Sequence, residues 1–178
     1  MSPNATKASV MEVFRTVDPH NYFRSRLFGR EAFRTYRAAE HIAQSAHETS
    51  ACQDGQPRYL WKEDSLQSCQ LQTAFELLDD QNQHAPAHAQ EILLVAITSI
   101  LFSDFDFQKC MEFIVNYGRD NDTSGAVAGA ILGAYLGYDE LPPLKDQVLK
   151  TNKDHLGIDL EALARDLTNE MIRISTNS

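Results

Sequence analysis

No run of this chain approaches the roughly 18 consecutive apolar residues of a membrane-spanning helix, and Met1 to Val10 carries no apolar leader. The reading is a cytoplasmic protein with no membrane partner. Cysteine is scarce too. Cys52, Cys69 and Cys110 are an odd number without CxxC spacing, so neither a disulfide framework nor a zinc knuckle is expected. Cys69 and Cys110 fall on apolar helical faces and read as small core residues. Segments alternating with period two and rich in Val, Ile and Thr are rare, which disfavours a sheet. There is no Ser-His-Asp order, no nucleophile elbow and no phosphate-binding glycine loop, so several hydrolase and nucleotide-binding signatures are absent.

What is present is an ordinary globular composition, 43% hydrophobic and 23% charged over 178 residues. That is enough for one good core, and residues 1–178 read as a single domain. The net charge of −9 is uneven: residues 1–60 hold eight Lys/Arg against six Asp/Glu, and residues 61–178 hold eight against nineteen. An acidic second part disfavours the extended, clustered cationic surface that nucleic-acid phosphates require, and it suits a site for cations.

Apolar residues recur at helical spacing along most of the chain, so the expected fold class is all-α. Helices are expected over Lys7 to Thr16, Arg30 to Glu48, Ser65 to Asp79, His88 to Phe102 and Phe107 to Tyr117. A glycine-rich helix ending at Gly137 follows, then a short one near Leu144 to Leu149 and a last one from Asp159 to Ile172, with Ser175 to Ser178 a frayed tail. Residues 49–62 read as a loop or hinge. The run from Glu91 to Leu101 is apolar on nearly every face, which marks the central buried helix. Asp104 or Asp106 can cap the helix after it.

The densest chemistry lies in Asn116-Tyr117-Gly118-Arg119-Asp120-Asn121-Asp122-Thr123, followed at once by Ser124 and the small-residue helix. Glycines 125, 129, 133 and 137 form a slowly drifting stripe on that helix. Each costs about 0.5–1 kcal/mol relative to alanine, so the stripe suggests close approach by a helix or a ligand. Asp120, Asp122 and the Thr123 hydroxyl can fill part of a Mg²⁺ shell, which takes hard oxygen ligands. In the plainer alternative, Asp122 caps the helix and Asp120 pairs with Arg119.

The whole string, with the Ala/Gly helix and the Gly137 to Leu141-Pro142 turn, closely resembles the metal-binding segment of the ADP-ribosylglycohydrolase family (the ADP-ribosylation/crystallin J1 group). The resemblance is specific over residues 88–143, the C-terminal half, while residues 1–60 are divergent. It implies an all-α fold of orthogonally packed helices, here in a truncated form. It also implies one or two Mg²⁺ ions, or Mn²⁺, in a cleft that binds ADP-ribose or an ADP-ribosylated substrate. By position Asp120, Asp122 and Thr123 match the family's metal ligands, with Asp120 and Asp122 central to catalysis, and Tyr117, Asn121 and Ser124 are candidate substrate contacts. The family's N-terminal G-D-x-x-G and D-D-T segments do not occur in residues 1–60, and the adjacent pair Asp79-Asp80 is followed by Gln81. The missing ligands are then expected from a removed N-terminal part, a partner subunit or another part of residues 1–87. The alternative is an inactive or truncated relative that serves as an interaction domain.

Other candidates read more simply. Arg30, Arg34 and Arg37 form a basic stripe interleaved with Glu31 and Glu40, as on a solvated helix. His84 and His88 are separated by Pro86, and His41 and His47 point to different faces.

Overall fold

The computed structural model describes residues 32–52, 65–81 and 88–176, and every regular element among them is a helix. They are α1 (Ala32–His47), α2 (Ser65–Asp79), α3 (Ala89–Phe102), α4 (Phe107–Tyr117), α5 (Asn121–Leu136), α6 (Leu144–Leu156) and α7 (Leu160–Thr176). The helix expected over Lys7 to Thr16 and most of the 49–62 hinge lie outside the described residues. The chain divides into two compact units, Met1–Tyr135 and Leu136–Ser178.

In the first unit α3 is the central helix, as its apolar run predicts. Leu94, Val95, Ala96, Ile97 and Ile100 are all buried, and α3 packs against α1 and α4, while α1 also packs against α2. Alanines let α1 and α3 pack closely: Ala39, Ala46 and Ala96 are fully inaccessible. Aromatic rings close the far end, where Phe113 meets the edge of Phe75 at 5.0 Å and Phe102 at 5.1 Å. Full burial of a side chain such as Phe113 contributes about 1.5–3 kcal/mol. α5 joins this core through Ala128 and Leu132, one turn apart and both fully buried.

Ends of helices follow local chemistry. His88 caps α3, its Nδ1 accepting from the Gln90 N–H, and Asp106 caps α4 by accepting from the Lys109 N–H at 2.9 Å. Asp104, the other candidate cap, instead sits in the connecting turn at φ 51.

The second unit is the pair α6 and α7, neither of which has a buried residue. α6 is longer than expected and runs on to Leu156, where Gly157 at φ 68 stops it in the left-handed conformation that glycine adopts without steric cost. The supposed tail is helical through Thr176.

The cysteine reading needs correction. Cys52 and Cys69 are joined by a disulfide, so Cys69 is buried but not free, and Cys110 alone is a free buried thiol. An odd count excludes a fully paired framework, not one bridge. Burial pushes the Cys110 thiol's pKa up, and the thiol donates to Ser99 Oγ at 3.3 Å.

Candidate functional site

The site motif is a reverse turn between α4 and α5. Gly118 takes φ 80 and ψ −136, a region that only glycine enters readily, and Arg119 follows at φ 55. A left-handed arginine costs about 1–2 kcal/mol, so its surroundings must hold it. Two successive positive φ values redirect the chain, and Asp120 then stands at the start of α5 with its carbonyl accepting from Ser124 N–H at 3.1 Å.

Asp120 is the N-cap of α5. Its carboxylate accepts from the Thr123 hydroxyl and the Thr123 backbone N–H, and it also interacts with the Asp122 side chain. These contacts, the Thr123 hydroxyl foremost, hold it below the usual aspartate range. Asp122 lies in the first turn, where a negative charge complements the helix dipole. The plainer sequence reading therefore had the roles crossed: Asp120 caps, and Arg119 turns away from it.

Arg119 reaches the start of α3 instead. Its Nε donates to Glu91 Oε1 at 2.5 Å, and the Glu91 side chain is only 7% exposed. The hydrogen bond to Glu91 raises the guanidinium pKa above its usual value, and Asp79 acts on it in the same direction. On the other side of Gly118, Tyr117 donates its hydroxyl to Asp79 Oδ1 at 3.0 Å and packs on Phe75. Thus Asp79, which the sequence offered only as half of an adjacent aspartate pair, is brought beside the motif. The sequence carries no signal for this role of Glu91, because an acidic residue in a first helical turn ordinarily reads as a dipole partner.

The remaining candidates are placed as follows. Thr123 and Asp122 are exposed, Asn121 and Asp120 half-buried, and Ser124 is buried beneath the first turn of α5. Asp120, Asp122 and Thr123 are hard oxygen donors of the kind that suits Mg²⁺ or Mn²⁺. Among the described residues, however, no group of three or more His, Cys, Asp or Glu is arranged to hold a metal ion. The donors fit in kind and fall short in number, and Asp120 is already engaged as a cap.

The glycine stripe does not show the close approach it suggested. A Cβ built on Gly125, Gly129 or Gly133 meets nothing within 4 Å among the described residues. The buried seam of α5 is the neighbouring row Ser124, Ala128 and Leu132. Of the other candidates, Arg37 pairs with Glu40 at 2.9 Å and His47 stacks on Phe102, as a solvated helix and a packed ring would.

The chain matches the family model for ADP-ribosylglycohydrolase over residues 11–176. Comparison with curated proteins gives no match, and comparison with solved structures gives none. The family likeness therefore runs through nearly the whole chain, including most of the divergent residues 1–60, and is not confined to the C-terminal half.

Proposed function

The chain belongs to the ADP-ribosylglycohydrolase family, and on that premise we propose that it hydrolyses the glycosidic bond joining ADP-ribose to an acceptor, in the presence of Mg²⁺ or Mn²⁺. The observation that supports this reading is the family match running through a turn that sets Asp120, Asp122 and Thr123 together at the mouth of α5. Hydrolysis forms a bond from a water oxygen to the anomeric carbon as the bond to the acceptor breaks, and the water's proton ends on the acceptor. Positive charge builds on the ribose ring in the transition state. Asp120, kept ionised by Thr123, and Asp122 place negative charge beside that centre. A divalent ion, when bound, would activate the water and orient ribose hydroxyls.

Asn121, half-buried at the first position of α5, is the preferred contact for the ribose or its phosphates. Tyr117 and Ser124 rank behind it, because Asp79 engages the Tyr117 hydroxyl and Ser124 is buried. Completing the donor set falls to residues outside the described ones or to a partner subunit. The test is release of ADP-ribose from an ADP-ribosylated protein, with and without Mg²⁺ or Mn²⁺. Wild type should release it only with metal, and Asp122→Asn should not. Folded wild type that releases none under either condition would refute the reading.

A second reading, an inactive interaction domain that keeps the turn as architecture, draws support from Asp120's capping role and the short donor set. It expects no metal-dependent rise in melting temperature. The catalytic reading expects about 2.7 kcal/mol of added stability at a metal concentration 100 times Kd, abolished by Asp122→Asn.

A further inference from the structure

We propose that Glu91 is a positioning residue for the Asp120–Thr123 turn, acting through Arg119, and that with Asp79 it clamps the turn on both sides of Gly118. The inference rests on reading this turn as the functional site.

Gly118 is the pivot, and the residues flanking it are each held by a carboxylate from a different helix. Tyr117 is tied to Asp79 at the end of α2 by its hydroxyl, at 3.0 Å, and Arg119 is tied to Glu91 in the first turn of α3, at 2.5 Å. Neither carboxylate belongs to the turn itself: they lie 38 and 28 residues away in sequence. α3 is the most buried helix of the first unit, so Glu91 gives Arg119 a fixed point on the core. Arg119 needs one, because its left-handed backbone is unfavourable for a residue with a Cβ. Asp120 follows directly, so where Arg119 is held decides where α5 starts and where Asp122 and Thr123 stand.

The pair is not arranged for stability alone. Among the described residues Glu91 Oε2 is buried with no hydrogen-bond partner, which is unfavourable for a carboxylate oxygen. The pair is only part-buried, with the Arg119 side chain 32% exposed and Glu91 7%, so solvent screens it while the Glu91 carboxylate still bears its desolvation cost. Its effect is therefore expected in the placement of the turn more than in global stability.

The test is amide hydrogen exchange of the full chain, with ADP-ribose release measured on the same samples. The reporters are the Thr123 and Ser124 amides, which donate to the Asp120 carboxylate and carbonyl. Glu91→Ala and Arg119→Ala should each speed their exchange about tenfold, and the double variant no more than either, because one link is being cut. Glu91→Gln still accepts from Arg119 and should restore most of the protection and of the activity. Exchange in Cys110 to Ile114, in the middle of α4, should not change. If Glu91→Ala fails to fold, Glu91→Gln and Arg119→Ala carry the comparison. Unchanged exchange at Thr123 and Ser124, additive effects in the double variant, or equal loosening of α4 would overturn the proposal. If wild type releases no ADP-ribose while the exchange pattern holds, the catalytic reading fails and the positioning role stands.

Discussion

Replacing Gly125, Gly129 and Gly133 by alanine, singly and together, decides whether the glycine row on α5 is a contact surface. All three lie inside the helix, and among the described residues an added Cβ at each meets nothing within 4 Å. Glycine in a helix interior is less favourable than alanine by about 0.5–1 kcal/mol, so each substitution should stabilise the first unit by that amount and the triple variant by about 1.5–3 kcal/mol. At about 2–4 °C per kcal/mol, the triple variant should melt roughly 3–12 °C higher. Gly137→Ala is the internal control. Gly137 sits at φ 81, so alanine there should destabilise even though the space is open.

The assay is urea unfolding followed by far-UV circular dichroism, with an unchanged m-value confirming that only stability has moved. A loss of stability in any one of the three single variants would refute the reasoning, since something would then approach the row more closely than the described residues do. ADP-ribose release supplies the second readout. Higher stability with lost turnover would place substrate against the row, whereas higher stability with retained turnover would make the row incidental to catalysis.

Other expected outcomes follow from named groups. Folded protein should react slowly with a thiol reagent, denaturation without reductant should expose Cys110, and reduction should add Cys52 and Cys69. Because the disulfide spans 17 residues of sequence, its reduction should lower stability by about 3 kcal/mol in the chain-entropy account, read by urea unfolding with and without reductant. Leu132→Ala, which empties a fully buried site where α5 meets the core, should cost about 2–5 kcal/mol. Asp120 has a folded-state pKa below the ordinary 3.8, so its contribution to stability is present above that value and is lost as pH falls through the lower folded one. Melting curves of wild type and Asp120→Asn should therefore run parallel at neutral pH and converge at the acid end. A constant gap down to the lowest pH would show that the carboxylate does not set the cap.

Much of the fold was legible because strong periodicity and good caps coincide in this chain. α2 and α4 lie where their apolar spacing and flanking signals place them, and α3 is displaced by a single residue at its start. α6 was read too short because Thr151-Asn152-Lys153-Asp154 is polar all round. Its end is set by the left-handed Gly157, and pattern alone does not show how far a polar helix runs before such a cap. The Cys52–Cys69 bridge was hidden for a different reason: cysteine spacing states which pairings are available and not which the fold brings together.

The site divides along the same line. The D-x-D-T turn was visible because its residues are neighbours in sequence, and so was its position at a helix start. What holds the turn was invisible, because Tyr117–Asp79 and Arg119–Glu91 join residues that only tertiary packing places side by side. The plainer alternative pairs Arg119 with Asp120, the nearest opposite charge. A left-handed backbone turns the arginine away from that neighbour and toward α3, and the aspartate is left free to cap α5. The conformation of one residue thus settles the roles of three. Arg119→Gly should relax the strain and release the link to Glu91, so that the start of α5 loosens around Asp120 while the rest of the helix stays formed. If Asp120 and Asp122 act on substrate from a turn held in position, that variant should keep its helix content and melting behaviour while losing turnover. If turnover survives, the capped turn places itself, and the clamp on either side of Gly118 is not needed for the chemistry.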